Sequence, residues 1–449
     1  MNCEDTSKAD SHRKMAWTLL ALAVASFFVK FGFNIFFARH FDKGLYGDFI
    51  VGLRTFSLVS ALLLLGTGTA SKRFLSRYLR SNNEQSVVGY LAWNLRLVFF
   101  SGIVFLIFIT ITVIFLMIFH LFNLKSVDSY HLALYLLFAA PLGAVTLLFA
   151  CYLQCNNNVY WYSFLTTGAR SVLLTSFFLA AIYFTEMSIG TPQMWGIILL
   201  SYLILLGLEY VLLLLRMPRG LLSRTLGLLN SKRIRVFDAA WKKTSSHLMF
   251  SQVLYLVLTV IDLYIVEIFS PHEFLVDQYA AILVISSIIW VASMSIYQFI
   301  TPIVSDCLEA GRINNLQSAI NQANTVNVIA NAIIFVGILV IGKAALAMFG
   351  PHYLTVASYS TLAITAVGAF ISTWSRSSVL LLSYSGNEKH LISIAAIELS
   401  VLLVLCTYLT IQFGIVGTAA ATVVSILIKT VSVIVVTKRK LKLRPLSIL

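Results

Sequence analysis

Eight ionisable side chains sit inside long apolar stretches of this chain: Lys30, Arg54, Glu209, Asp262, Glu267, Arg376, Glu398 and Lys429. In a membrane each such group costs about 2.5–3.5 kcal/mol on insertion scales, so it faces a cavity, a partner or the interface. Helical spacing sorts them. Ser26, Lys30 and Asn34 recur every four residues and share a face, and Arg54 is followed by Ser57 and Ser60 at three-residue steps. Ser251, Tyr255, Thr259 and Asp262 form another stripe, and Ser286, Trp290, Ser293 and Tyr297 a fourth. An arginine offers paired donors and a lysine a mobile point charge, a combination suited to phosphate-like anions. A carboxylate such as Asp262 is suited to carrying a proton, because a low-dielectric site favours its neutral form. Two plainer readings stand beside these: Lys30 or Arg54 pairs with Asp262, or Arg54, close to the end of its stretch, reaches back to the interface.

The elements that must hold these groups are about twelve apolar runs in 449 residues. With 59% hydrophobic and 11% charged residues, and a mean hydropathy of +0.89, a soluble core is excluded. The runs are continuous rather than alternating, which predicts helices and not a β-barrel. They fall at 15–38, 49–71, 97–119, 132–154, 164–185, 194–215, 247–268, 278–300, 323–342, 357–381, 391–411 and 417–437. The first run is too long for a signal-peptide core and lacks a small-residue cleavage site. Pro141 predicts a kink in the fourth span. Cys3, Cys151, Cys155, Cys307 and Cys406 form no Cys-x-x-Cys or Cys/His cluster, so neither a disulfide framework nor a zinc site is expected. No phosphate-binding loop of the G-x-x-x-x-G-K-[ST] type occurs, and no cofactor is expected.

The net charge of +14 could suggest nucleic acid. Its distribution argues for topology instead. With the N terminus placed in the cytoplasm, the basic residues collect on the cytoplasmic side, Arg170 counted among them. Arg39, Lys43, Lys125 and Lys343 fall outside. This satisfies the positive-inside rule with both termini cytoplasmic, and no nucleic-acid partner is expected. The organisation expected is a six-helix lobe over 1–215, a basic cytoplasmic linker over 216–246, and a second six-helix lobe with a basic tail over 247–449.

The two halves share a segment. Arg80-Ser81-Asn82-Asn83-Glu84-Gln85-Ser86 and Arg312-Ile313-Asn314-Asn315-Leu316-Gln317-Ser318 both read R-x-N-N-x-Q-S, each after the second apolar run of its half. With an even number of spans per half, the copies enter the membrane in the same direction. The fold class predicted is an all-α polytopic membrane protein, about twelve transmembrane helices in two six-helix lobes related by a parallel pseudo-two-fold. Transporters of that plan bind between the halves.

Further motifs carry a resemblance. Ala38-Arg39-His40-Phe41-Asp42-Lys43-Gly44-Leu45-Tyr46-Gly47-Asp48-Phe49 follows the first span, Asp262 stands late in the seventh, and Pro302 closes the eighth before Gly311-Arg312. Phe349-Gly350-Pro351-His352-Tyr353-Leu354-Thr355-Val356-Ala357 lies between the ninth and tenth, within the longest outer loop (Gly342–Ala357). Phe413-Gly414-Ile415-Val416-Gly417-Thr418-Ala419-Ala420-Ala421-Thr422 comes late. In order and spacing the chain resembles the polysaccharide-transporter branch, with its O-antigen (Wzx-type) flippases, of the multidrug/oligosaccharidyl-lipid/polysaccharide exporter superfamily. Relatives often carry V-G-x-Y before the eighth span, where this chain has Val276-Asp277-Gln278-Tyr279; no site is assigned to that loop.

The resemblance implies a flippase of the bacterial inner membrane that moves an undecaprenyl-diphosphate-linked oligosaccharide outward by alternating access. It implies lipid-linked oligosaccharide diphosphate as substrate, with membrane lipids, a polysaccharide polymerase and chain-length machinery as neighbours. The cavity set it suggests is Lys30, Asn34, Arg54, Tyr255, Trp290 and Tyr297, with Asp262 as a coupling carboxylate and Lys30 and Arg54 on the diphosphate. A cation-coupled drug exporter of the same superfamily is the rival, disfavoured by the absence of an acid in the first five spans. A polytopic polymerase or ligase would need a large outer loop, and none is present.

Overall fold

Twenty or so apolar residues in lipid must satisfy their own backbone, and the computed structural model is accordingly helical throughout its ordered elements. The structure describes residues 3–40, 44–121, 132–156, 158–185, 191–218, 220–228, 238–270, 272, 274–309 and 311–443. Phe41, Asp42, Lys43 and Lys125 of the outer loops, residues 229–237 of the linker and Arg444 of the tail lie outside them.

In chain order the helices are α1 (Cys3–His40), α2 (Leu45–Leu63), α3 (Thr67–Arg80), α4 (Glu84–Leu121), α5 (Leu132–Leu137), α6 (Ala140–Cys155), α7 (Val159–Ser163), α8 (Arg170–Thr185) and α9 (Thr191–Arg216). They continue as α10 (Leu221–Leu228), α11 (Asp238–Leu258), α12 (Ile261–Phe269), α13 (Phe274–Glu309), α14 (Ile313–Phe349), α15 (Val356–Thr373), α16 (Arg376–Tyr384) and α17 (Glu388–Leu441). Among the described residues nine helices are long and apolar enough to cross a bilayer, and the pair α11–α12, bent by 45°, makes a tenth. The expected remainder is accounted for by breaks. Gly414 (φ 58, ψ −142) folds α17 into two arms. The fourth span is split into α5 and α6, with Pro141 in the first turn of α6, as the kink expectation required.

Several boundaries differ from the sequence reading. Helix α13 runs through Pro302 to Glu309, so this proline does not close the eighth span. Helix α14 extends to Phe349, and the loop expected over Gly342–Ala357 shrinks to a single 3-10 turn, Pro351–Tyr353, with its flanks. The second span is broken at Leu65 and Gly66, both with positive φ. A Cβ at Gly66 would collide with the Ser245 carbonyl and sit 2.7 Å from the Met249 nitrogen of α11, so glycine is what lets that break form.

The chain packs as two compact units, Met1–Gly47 with Val257–Leu449, and Asp48–Leu256. In the first unit α1 packs on α13 and α14, and α13, α14, α15 and α17 form the bundle. One end of this bundle is clasped by complementary charges. Asp277, buried at the start of α13, accepts from the Gly44 nitrogen at 2.7 Å and the Gly47 nitrogen at 2.5 Å. Arg39 at the end of α1 donates from Nε to the Met348 carbonyl (2.6 Å) and from Nη2 to the Ala347 carbonyl (3.3 Å). An acid thus meets the amide end of α2 and a cation the carbonyl end of α14, the pairing that helix dipoles favour. Gln278 adds a bond to the His352 carbonyl (3.0 Å). Tyr353 packs against both Phe274 and Phe349.

In the second unit α6 packs on α3, α4 and α9, α8 on α9, and α10 on α4. Outward faces are apolar, as lipid contact demands: Phe100, Phe108, Ile111 and Phe115 of α4 are exposed.

The duplicated R-x-N-N-x-Q-S segments both sit at a helix–helix turn, but in different phase. In the first copy Asn82 takes the left-handed conformation (φ 49), and α4 begins at the fifth motif residue, Glu84. Asn83 Oδ1 caps it by accepting from the Ser86 nitrogen (3.1 Å). In the second copy Gly311 supplies the left-handed residue (φ 67), and α14 has already begun at Ile313. Either residue tolerates that backbone, so the turn moved by three positions while the letters stayed.

Candidate functional site

Within the second unit, α2 carries Phe56 and Ser57, and Arg54 one turn before Ser57. Helix α8 begins with Arg170, after a wider π turn over Phe164–Ala169. Such turns displace one residue from the regular helical ladder. The Arg170 guanidinium lies 6.0 Å from the Phe56 ring centroid and 5.3 Å from that of Tyr202 on α9, and Nη2 donates to Ser57 Oγ at 3.3 Å. Arg170, counted among the cytoplasmic basic residues, is part of the helical body of this unit and is held against two aromatic faces. Seven residues beyond Tyr202, on the same face of α9, Glu209 is 1% exposed and its Oε2 has no hydrogen-bond partner among the described residues. Arg54 is half-buried and Tyr255, near the end of α11, is exposed.

In the first unit the polar groups converge between α13, α14 and α16. Arg376, at the first turn of α16, stacks on Trp290 with its guanidinium carbon 4.4 Å from the ring centroid. Tyr297, two turns along α13, donates to Asn324 Oδ1 at 2.7 Å. Asn327 donates to the Thr373 carbonyl (3.2 Å), and Asn331 to Asn327 Oδ1 (2.8 Å). These asparagines, spaced at three and four residues, make one buried edge of α14 polar. The Asn-rich start of the ninth span carried that signal in sequence.

The remaining residues of the expected set behave unequally. Lys30 is exposed on α1. Asn34 is buried and its amide is used locally: it donates to the Lys30 carbonyl (2.6 Å) and accepts from the Tyr46 hydroxyl (3.0 Å). Asp262 is 6% exposed; Oδ2 accepts from the Tyr279 hydroxyl (2.9 Å) and Oδ1 from the Leu263 nitrogen (2.8 Å), just past the α11–α12 bend. The stripe from Ser251 to Asp262 is therefore interrupted. Glu398 and Lys429, neither of which has a partner assigned from sequence, are paired: Lys429 Nζ lies 3.3 Å from Oε1 and 3.2 Å from Oε2.

A sign asymmetry follows. Inside the spans the acids Glu209, Asp262 and Glu398 are 1%, 6% and 4% exposed, whereas Lys30 is exposed and Arg54 and Arg170 keep accessible surface; Arg376 is half-buried, with Nε and Nη2 covered. Asp48 and Glu267 lie in end turns of their helices. Two of these cations, Arg170 and Arg376, lie against aromatic rings, and accessible ammonium and guanidinium groups such as Lys30, Arg54 and Arg170 suit anions.

No family model and no curated protein matches the sequence. Solved structures do. An inward-facing multidrug-resistance MATE family transporter of the MOP superfamily aligns with a TM-score of 0.72 at 13% identity, over 95% of this chain and 94% of that one. A MOP superfamily transporter from Pyrococcus furiosus, described by a reversed polarity of its binding pocket, aligns at 0.68 and 11% identity over 96% and 95%. The lipid II flippase MurJ aligns at 0.67 and 15% identity, over 94% of this chain and 87% of that one. The chain has the MOP transporter fold. That fold has about twelve spans in two lobes, and the neighbours are transporters and a flippase rather than enzymes.

Proposed function

We propose that this MOP-fold protein is a flippase for a lipid-linked oligosaccharide diphosphate, working by alternating access. One observation carries the reading: the acids Glu209, Asp262 and Glu398 are buried while Lys30 is exposed and Arg54 and Arg170 keep accessible surface. Accessible cations of this kind favour an anionic headgroup through charge and paired donors, and disfavour a cationic drug. The description of the Pyrococcus furiosus neighbour ties a reversed pocket polarity to a different function within this fold, which supports using charge sign as the discriminator. The lobes are taken as 1–215 and 247–449 around a basic linker, in a bacterial inner membrane with both termini cytoplasmic, next to polymerase and chain-length machinery. An anionic headgroup leaving a negative-inside cell gains about 2.3 kcal/mol per charge per 100 mV, so no ATP is needed.

The test is translocation of a fluorescent undecaprenyl-diphosphate oligosaccharide in proteoliposomes. Wild-type protein should flip it, and Lys30→Ala and Arg54→Ala should each fail to while reconstituting normally. Full activity in both variants rejects the reading.

Glu209 favours a second reading, a cation-coupled exporter, since a buried carboxyl with an unpartnered oxygen is a natural proton carrier. Under that reading ethidium efflux driven by a proton gradient appears in the wild type and vanishes in Glu209→Gln.

A further inference from the structure

Helix α3 carries a second cationic feature that the transport reading leaves unused. Lys72, Arg73, Ser76, Arg77 and Ser81 line a cleft of about 390 Å³. The opposite side of the helix is fully packed: Ala70, Ser71 and Leu75 are buried against the bundle, while Lys72, Arg73 and Arg77 are exposed. Arg73 and Arg77 stand one turn apart, a like-charge spacing that disfavours the helix unless a counter-charge is supplied. Among the described residues no carboxylate is paired with them. Glu84 is the one acid between Asp48 and Asp128, and Arg224 of α10 holds it at 2.9 Å. No carboxylate lines the cleft.

The layer beside it fixes the helix in place. Tyr78, Tyr90, Trp93 and Trp241 join α3, α4 and α11 through ring contacts of 5.1 to 6.3 Å, and Trp241 Nε1 donates to the Tyr78 hydroxyl at 3.2 Å. Lys72 lies 5.4 Å above the Tyr162 ring. Tyr90, Trp93 and Trp241 are buried and brace α3 from within, while exposed basic residues that follow an apolar span lie at the headgroup level, where anionic lipid attracts them. The left-handed break at Leu65 and Gly66 is what detaches α3 from the apolar span before it and lets its polar face lie at that level. From the cleft, its unmatched charge and its aromatic floor we infer that Lys72, Arg73 and Arg77, with the Ser76 and Ser81 hydroxyls, hold the phosphate of an anionic phospholipid of the surrounding leaflet. This holds whatever the transported molecule is.

Native mass spectrometry of the full chain, titrated with phosphatidylglycerol, phosphatidylcholine or inorganic phosphate, tests it. Phosphatidylglycerol should give one tight adduct, and K72A/R73A/R77A should weaken it by about a hundredfold, some fivefold for each basic contact. R73K/R77K, which keeps the charges, should retain most of the binding and shows that loss in the triple variant is not misfolding. Equal phosphatidylcholine binding, an unchanged triple variant, or saturation by inorganic phosphate with no preference for the glycerolipid would each overturn the assignment.

Discussion

Lys429 Nζ lies 3.2 Å from Glu398 Oε2, across the fold that Gly414 makes in α17. The two residues sit at nearly equal chain distances either side of that glycine, so antiparallel arms bring them level. The pair offsets part of the cost of holding each charge among apolar helices.

Removing one partner strands the other. Lys429→Ala leaves a carboxylate side chain 5% exposed, whereas Glu398→Ala leaves a lysine that is 22% exposed and can reach solvent. Lys429→Ala should therefore destabilise more, by roughly 3 kcal/mol, and Glu398→Ala by less. Thermal unfolding in detergent reads the order; equal effects would show that the pair contributes little.

Gly414 itself should be intolerant. Its φ of 58 with ψ of −142 lies where only glycine is comfortable, so Gly414→Ala should cost about 1–3 kcal/mol. Gly337, in the regular body of α14 with open space around it, is the control: Gly337→Ala should be neutral or slightly stabilising. Melting temperatures of the two variants check the contrast.

The Asp277 clasp predicts a matched pair of defects. A Cβ at Gly47 would lie 2.8 Å from Asp277 Oδ1 and 2.9 Å from Val276 Cγ1, so Gly47→Ala should push the carboxylate off the amides it holds. Asp277→Ala removes the acceptor directly, losing about 1.5–3 kcal/mol per charged hydrogen bond. Both should speed amide hydrogen exchange at residues 44–50, and the double variant should add little to either. Fully additive effects would mean the two act separately.

Arg170 and Arg376 are arginines on aromatic faces, and lysine is a poor replacement. A stacked cation is worth about 1–2 kcal/mol, so under the proposed flippase function Arg170→Lys and Arg376→Lys should each slow flipping of a lipid-linked diphosphate by roughly tenfold. Surface abundance should be unaltered. Wild-type rates in the lysine variants would assign these arginines to packing alone.

The sequence was informative where a physical rule is local. Apolar length found the spans, and Pro141 announced its break. It was silent where a side chain's partner is distant in the chain. Arg170 lies inside the fifth apolar run, and nothing near it in sequence reveals Phe56 and Tyr202 on two other helices. Asp277 was passed over because its partners are backbone amides, which no residue type advertises. Glu398 and Lys429 were legible in principle, from their symmetry about Gly414, but only once the chain is known to reverse there.

Asn82 and Gly311 perform one job three motif positions apart. Letter-for-letter superposition of the two halves therefore misregisters the backbone at this corner by nearly a full helical turn. Anyone grafting one half onto the other should splice at Asn82 and Gly311, not at the shared arginine; a junction at the arginine would rotate every downstream side chain of the transplanted helix away from its neighbours.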